Sequence, residues 1–205
     1  MPKIAIFNCP PRAGKDVVKK FLQENFNFHG GEFKETLFDI AFAVSRIQRD
    51  EWFERYNKSY TGVDGIVINM KDVPWDRLNG MSQRQFLIKI SEEWVKPAFG
   101  KTWFGKALSL DIIEQASHEV VQKPFAISDG GFNEEIQPLI DVFGEENVRI
   151  FQWTRHGVTF ESVGDSRRFI LDYPNITRRL EDNNGDSVEE FASYVYDCIV
   201  QEFSS

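Results

Sequence analysis

The side chains best suited to chemistry lie near the start of the chain, in the stretch Arg12-Ala13-Gly14-Lys15-Asp16. The apolar run over residues 3–7 predicts a buried strand, and apolar side chains recur at helical spacing after Asp16. Gly14 and Lys15 therefore lie where a helix begins, and the free backbone N–H groups of a helix start bind anions. This order is typical of the G-x-x-x-x-G-K-[ST] loop that surrounds nucleotide phosphates. The predicted contact residues are Arg12, Ala13, Gly14, Lys15, Asp16 and Val17.

Two residues depart from that motif. Cys9 replaces the first glycine, and Asp16 replaces the Ser or Thr that usually holds magnesium. A carboxylate at Asp16 is an oxygen ligand that suits Mg²⁺, either directly or through water. An acidic residue there also stabilises a first helical turn through the helix dipole. The sequence leaves both roles open, and a plain strand-to-helix turn with a solvated Lys15 is the alternative for the whole loop.

Composition limits the classes of function. The chain has 205 residues, 19 of them Phe, which suffices for one core in a single domain, residues 1–205. Its net charge of −8 argues against duplex nucleic acid as the main partner, because phosphate contacts on DNA need a basic surface. The chain starts without a basic segment or a long apolar run, so we expect a cytoplasmic protein without membrane contact. The three histidines show no metal-ligand or triad spacing, and we expect them at the surface.

Apolar runs alternate between strand and helix patterns, which predicts an α/β fold of three layers with a mostly parallel sheet of about five strands and helices on both faces. The predicted strands are residues 3–7, 124–128 and 148–153, with weaker ones at 32–35 and 176–180. The predicted helices are residues 16–24, 37–55, 82–95, 103–118, 134–143 and 187–203. Ser82 and Ser187 each begin a capping box. Residues 56–80 are predicted to be irregular.

Further candidate residues follow from this layout. Asp129 ends a strand at its carboxyl end, where ligands bind in open parallel sheets, and Arg155 follows the next strand. Asp129 suits ordering of magnesium-bound water, proton acceptance or a sugar hydroxyl, and its alternative role is to cap the following helix or turn. Arg84 lies in a first helical turn, where a cation opposes the helix dipole, so an anionic ligand would explain it. The alternative is an exposed arginine on a polar helix face.

A long loop at residues 156–175 contains Gly164, Arg167 and Arg168. In a protein that handles phosphate, such a loop is a candidate lid that closes over the substrate. The alternative is a solvated surface loop. The sequence does not rank Arg155, Arg167 and Arg168 as partners of a transferred phosphate.

Taken together, these motifs resemble the deoxynucleoside monophosphate kinases of tailed bacteriophages, a branch of the P-loop kinases, over nearly the whole chain. The most specific likeness is Gly-Lys-Asp in the phosphate loop. The other shared segments are Met81 to Leu87, Phe99 to Trp103, the partial strand-end motif Asp129, Phe132 and Glu135, then Arg155, and Asn183-Asn184-Gly185. Two departures remove positive charge: Gly131 stands where the family has Arg, and Phe38 stands where it has Lys, for which Lys34 is a candidate replacement.

The resemblance implies transfer of the ATP γ-phosphate to a deoxynucleoside 5′-monophosphate, with ATP and Mg²⁺ as cofactors and small-molecule nucleotides as partners. It implies an acceptor-binding region at 37–105 and a possible homodimer. The catalytic residues implied are Lys15, Arg84, Asp129, Arg155 and Arg167. Asn183 and Gly185 would contact adenine, and the substrate-binding residues would be Lys34, Arg84, Trp103, Asp129, Phe132, Glu135 and Arg168.

Two alternatives stay open. Related P-loop kinases of phages with hypermodified DNA phosphorylate 5-hydroxymethyluracil on the polymer, which would make DNA the acceptor. The substitutions at Cys9, Asp16, Phe38 and Gly131 also fit a nucleotide-binding module without catalysis.

Overall fold

The computed structural model describes residues 1–62, 65–160, 167–183 and 185–204. The chain forms two compact units, one made of Met1–Phe33 with Phe104–Ser205 and the other of Lys34–Trp103. The strands of the first unit are β1 (Ile4–Phe7), β2 (His29–Gly31), β5 (Phe125–Ile127), β6 (Val148–Gln152) and β7 (Thr177–Arg179). Its helices are α1 (Lys15–Asn25), α6 (Trp103–Ser117, which begins one residue before this unit), α7 (Asn133–Phe143) and α8 (Val188–Ser204).

The five strands of this unit form one sheet in the order β2-β5-β1-β6-β7, and every pair is parallel. β1 lies at the centre, with Ile4 opposite both Phe125 and Val148. All carboxyl ends of the strands therefore meet at one edge, where the phosphate loop leaves β1. The fold-class prediction is confirmed.

Alternate residues of the strands face opposite layers, and each face has its own core. Ile4 and Ile6 pack in a cluster with residues of α6 and α7, whereas Ala5 and Phe7 pack in a cluster with residues of α1 and α8. β1 and β5 are apolar at every position because both faces of these strands are covered. This packing fixes β1 from both sides and so fixes the start of the loop.

The second unit consists mainly of short helices. Its elements are α2 (Glu35–Ser45), α3 (Arg49–Tyr56), β3 (Ser59–Thr61), β4 (Val67–Asn69), 3₁₀ turns at Met70–Asp72 and Asp76–Leu78, α4 (Gln83–Ile88), a π-helical stretch (Lys89–Val95) and α5 (Lys96–Phe99). Aromatic rings hold α2 and α3 together, with Phe38 meeting Phe53 and Tyr56 edge to face at 5.0 and 5.4 Å. The extent of this unit nearly coincides with the predicted acceptor-binding region, whose role stays a prediction.

Several element predictions need correction. The second strand lies at His29–Gly31 and not at 32–35, because the Phe33 amide leaves the ladder and donates to Asp129. The predicted helix 37–55 is two helices, broken where Arg46 takes a left-handed conformation with φ 59°. The predicted irregular stretch 56–80 contains the β3–β4 hairpin.

Both predicted capping boxes are confirmed. Ser82 accepts from the Gln85 amide and its own amide donates to the Gln85 side chain, and Ser187 and Glu190 exchange the same pair of bonds. No helix in the described ranges is both long and apolar enough to cross a membrane.

Candidate active site

The loop between β1 and α1 has the backbone that an anion-binding loop needs. Gly14 has φ 90° and Arg12 has φ 70°, and the Gly14 carbonyl accepts from the amides of Val17 and Val18. A side chain at Gly14 would have open space, so its glycine serves the left-handed backbone and not close packing. Lys15 begins α1 and is only 7% exposed. The loop thus presents a helix start and a shielded ammonium together.

Some of the loop's polar groups already have partners. The Ala13 amide, predicted to bind phosphate, donates to the Pro10 carbonyl at 3.2 Å. The Ala13 carbonyl accepts from Nε1 of the fully buried Trp153 at 2.9 Å. Burial raises the pKa of the Cys9 thiol, so the residue at the first glycine position is a neutral packing residue. Trp153 therefore fixes the loop from β6.

The residues that follow β5 connect the loop to its neighbours. The Ser128 hydroxyl donates to Oδ1 of Asp16 at 2.7 Å. Oδ1 of the next residue, the buried Asp129, accepts from the Phe33 amide at 2.9 Å. Asp129 thus anchors the chain after β2, and its catalytic role stays a prediction.

The donors near the loop fit a magnesium ion that is held partly by substrate. Mg²⁺ usually keeps waters and binds one or two carboxylates plus substrate phosphates. The Asp16 side chain is 63% exposed in the first turn of α1, with Oδ2 at 3.9 Å from Lys15 Nζ. Among the described residues no group of three His, Cys, Asp or Glu side chains could hold a metal ion, so a protein-only metal cage is absent from that part of the chain. Asp16 and the Ser128 hydroxyl are the oxygen ligands that fit.

A pair of buried amides lies at the same edge, which we call the amide hub: Asn8 and Gln152. Nδ2 of Asn8 donates to the carbonyls of Gly130 and Arg168 at 3.1 and 3.0 Å. Oδ1 of Asn8 accepts from Gln152 Nε2 at 2.8 Å and from the Ile170 amide at 2.7 Å. Sequence reasoning missed both residues. The available signal was a polar side chain inside or directly after an apolar strand, where burial demands partners.

One glycine after β5 makes room for an arginine. A Cβ on Gly131 would overlap Cδ of Arg167 and lie 2.8 Å from its Cγ. Within the described parts of the predicted lid, Phe160 and Ile170 are both 2% exposed, whereas His156, Arg168 and Leu171 are exposed. The rest of it, including Gly164, lies outside the described residues.

Two predicted site residues meet beyond β6. Arg155 forms isolated backbone bridges with Asn183 and with Val158. The Thr154 amide donates to Asp182 at 2.8 Å, and the Thr154 carbonyl accepts from the Asn183 amide at 3.0 Å. Partial burial alone would raise the pKa of Asp182, but the Thr154 hydrogen bond lowers it overall.

The loop after β7 continues from there. The Gly185 amide donates to the Asn183 side chain at 3.4 Å, whereas Asn184 lies outside the described residues. The structure thus places the predicted adenine-contact loop beside the predicted arginine after β6.

The predicted acceptor residues of the second unit lie at or next to the starts of helices. Nε of Arg84 is 2.5 Å from the Asp72 carboxylate, and the side chain is 55% exposed. The protein itself therefore supplies an anion that offsets the unfavourable helix position, and the inference of a ligand from that position no longer follows. Phe38, at the position of the family's Lys, is core, only 4% exposed. Lys34 is the residue before α2, and the Trp103 ring packs at a tilt of 36° against the Phe99 ring, with ring centroids 5.8 Å apart.

The remaining predicted residues begin α7. The carbonyl of Phe132, the residue before α7, accepts from the amide of the buried Glu135 at 3.2 Å. A Cβ on Gly105 of α6 would overlap the carbonyl oxygen of Glu135, so the backbones of α6 and α7 approach closely there. His29 is not a plain surface residue as predicted, because it is half-buried in β2 with Nε2 2.7 Å from Glu119. His118 and His156 are exposed.

No protein-family model matches this chain, and no curated protein matches it. Among solved structures, a gluconokinase from Sinorhizobium meliloti 1021 is similar to it at 9% sequence identity. The match covers 98% of this chain and 93% of that one, with a TM-score of 0.46.

Proposed function

We propose that this protein transfers the γ-phosphate of ATP to a deoxynucleoside 5′-monophosphate. An oxygen of the acceptor phosphate attacks the γ-phosphorus, the bond from that phosphorus to the β–γ bridging oxygen breaks, and its electron pair leaves with ADP. Such a reaction needs alignment and charge neutralisation more than covalent help from the protein. The products are ADP and a deoxynucleoside diphosphate.

One observation carries the proposal: a left-handed glycine followed by a shielded lysine at the start of α1, at the carboxyl edge of a parallel sheet. Gly14 turns the chain so that α1 begins directly at Lys15. A buried ammonium loses much of its hydration, so a bound polyphosphate there gains a strong charge-assisted contact. Trp153, the residue after β6, holds the loop in this conformation through its hydrogen bond to the Ala13 carbonyl.

The roles of the surrounding residues follow from where they lie. Asp16 and Ser128 would hold Mg²⁺, which neutralises phosphate charge when bound. Arg155, with the neighbouring Asn183 and Gly185, would form the side that receives adenine. The Asp129 carboxylate accepts from the Phe33 amide and keeps the chain after β2 in place. We assign the same carboxylate to the acceptor nucleotide.

The acceptor monophosphate would bind Arg84, whose guanidinium pairs with Asp72 in this structure. An incoming phosphate must compete with that carboxylate for Arg84. Removal of the Asp72 carboxylate should therefore strengthen acceptor binding, whereas removal of Arg84 should weaken it. Lys34, Trp103, Phe132, Glu135 and Arg168 stay further candidates for acceptor contact because of the family resemblance alone.

The test is ADP release with ATP and Mg²⁺ across dTMP, dGMP, dCMP, dUMP, 5-hydroxymethyl-dUMP and the ribonucleotides. DNA that contains 5-hydroxymethyluracil is included as a polymeric acceptor. Lys15→Ala is compared with Lys20→Ala, which removes an exposed lysine from the same helix. Arg84→Ala is compared with Arg77→Ala, which removes another half-exposed arginine that pairs with a carboxylate.

We expect turnover on at least one free deoxynucleotide, its loss in Lys15→Ala, and a raised KM for the monophosphate in Arg84→Ala. Asp72→Asn should lower that KM, and the two control variants should behave like wild type. Turnover only on the modified DNA would replace the acceptor in this proposal. ATP binding without turnover on any acceptor would reject catalysis.

A further inference from the structure

Three arginines lie in the segments around the proposed site, and the structure separates them. We propose that Arg167 is the arginine that contacts the transferred phosphate, and that Gly131 is the residue that positions it. This inference rests on the proposed function. Gly131 has this role because it carries no side chain that would displace Arg167, and not because its backbone conformation requires glycine.

A side chain at Gly131 would collide with the side chain of Arg167. The φ of Gly131 lies outside the left-handed region, so an L side chain would fit its backbone. A Cβ at this position would nevertheless overlap Cδ of Arg167 and lie 2.8 Å from Cγ and 3.2 Å from Cβ. The contact runs along the stem of the arginine and not its flexible end. Any side chain at Gly131 must therefore move Arg167.

The backbone next to Arg167 is anchored. The Arg168 carbonyl accepts from Nδ2 of the buried Asn8, and the Ile170 amide donates to Oδ1 of the same side chain. The Ile170 carbonyl accepts from Gln152. Backbone movement would break these buried bonds, so a methyl group at Gly131 would displace the side chain of Arg167 instead.

The same overlap also locates the charge of Arg167. From the overlap with Cδ, covalent geometry places the guanidinium carbon within about 5 Å of the carbon added at Gly131. The Gly130 carbonyl shares the amide of Asn8 with the Arg168 carbonyl, and Asn8 is the first residue after β1. The stem of Arg167 thus crosses the edge from which the phosphate loop starts.

The other two arginines differ in burial and surroundings. Arg168 and Arg155 are exposed, whereas Arg167 is half-buried. Arg155 bridges to Asn183, on the proposed adenine side. Ion contacts strengthen as water is excluded, so the half-buried guanidinium suits the charge that develops on a transferred phosphate.

The experiment is a double-substitution cycle with Gly131→Ala, Arg167→Ala and the combined variant, and Arg168→Ala is measured beside them as the competing arginine, whose proposed role is with the acceptor and not with ATP. Two quantities are measured for each: kcat, and the ratio of the Kd for ADP to the Kd for ATP. The ratio reports contact with the γ-phosphate and needs no turnover. Thermal unfolding of each variant checks that it is folded.

We expect Arg167→Ala to lower kcat by about 100-fold or more and to lower the Kd ratio below its wild-type value. Gly131→Ala should change both quantities in the same direction. The combined variant should be no worse than Arg167→Ala alone, because the methyl group has no arginine left to displace. Arg168→Ala should keep the wild-type Kd ratio.

Independent, additive losses at the two positions would overturn the positioning role of Gly131. If the ratio of the Kd for ADP to the Kd for ATP falls more in Arg168→Ala than in Arg167→Ala, the assignment of Arg167 to the transferred phosphate is overturned. If wild type turns over no acceptor, the proposed function fails, and the Kd ratio across the four variants still decides the contact between Arg167 and the γ-phosphate.

Discussion

Replacing Asn8 with Asp tests the amide hub with almost no change of shape. The substitution keeps Oδ1, which accepts from Gln152 and Ile170, and replaces the amide group that donates to the carbonyls of Gly130 and Arg168. The buried carbonyl of Gly130 and the partly buried carbonyl of Arg168 then face a carboxylate oxygen instead of an N–H donor. The effect therefore isolates two hydrogen bonds of known partners.

The expected cost follows from those two bonds. A buried polar group left without its partner costs about 1–3 kcal/mol, and the partly buried Arg168 carbonyl adds less, so we expect a total of about 1–4 kcal/mol. Small domains are stable by about 5–15 kcal/mol in total, and this change is a large share of that. Urea unfolding at pH 7 should show a lower midpoint with an unchanged slope. Asn175→Asp, at an exposed position of the same unit, should change stability by no more than about 0.5 kcal/mol.

The pH dependence adds a second check. A buried carboxylate beside carbonyl oxygens has its pKa raised above the unfolded value, so the ionic part of the cost grows as pH rises from about 4 and reaches its full size above the folded pKa. The deficit of Asn8→Asp relative to wild type should thus be smaller at pH 4 than at pH 7. A deficit at pH 7 no larger than that of Asn175→Asp would refute the role of the hub.

Two further predictions concern stability in the same unit. The hydrogen bond from Lys123 lowers the pKa of Glu119 from 4.5 to about 2. The stability that the Glu119 carboxylate contributes is therefore present above pH 4.5 and is lost as pH falls toward 2. In acid titrations followed by circular dichroism, the stability difference between wild type and Glu119→Gln should vanish over that interval. Gly105→Ala should destabilise the protein by about 1–3 kcal/mol in urea unfolding, because the added Cβ overlaps the Glu135 carbonyl oxygen. Lys106→Ala, at the next and exposed position, should be nearly neutral. A Gly→Ala change in a helix without such an overlap would stabilise the protein.

The parts of the fold that were predictable have local signals. The strand, loop and helix around Gly14 were predictable because an apolar run over residues 3–7 and a helical pattern after Asp16 flank the loop. The second strand was misplaced because His29, Gly30 and Gly31 are poor strand formers, and the parallel pairing with β5 overrides their propensity. The break at Arg46 was missed because a left-handed arginine has no sequence signal comparable to that of glycine.

The parts of the candidate site that could not be predicted depend on residues far apart in sequence. Asn8 and Gln152 are 144 positions apart, and nothing in either local segment specifies the other. The relation of Gly131 to Arg167 is steric and exists only once both loops are placed. The ion pair of Arg84 with Asp72 likewise removes an argument that rested on the helix dipole alone.

The residues at the ends of β5 and β6 each contact several other segments of the chain. After β5, successive residues reach α1, the chain after β2, and Asn8. At the end of β6, Gln152, Trp153 and Thr154 reach Asn8, the phosphate loop and the segment before Asn183 in turn. Parallel strands end together, so consecutive residues with opposite side-chain directions can fix several loops at once. Changes at the hub should consequently disturb several loops together, whereas loss of the Trp153 hydrogen bond should disturb only the phosphate loop.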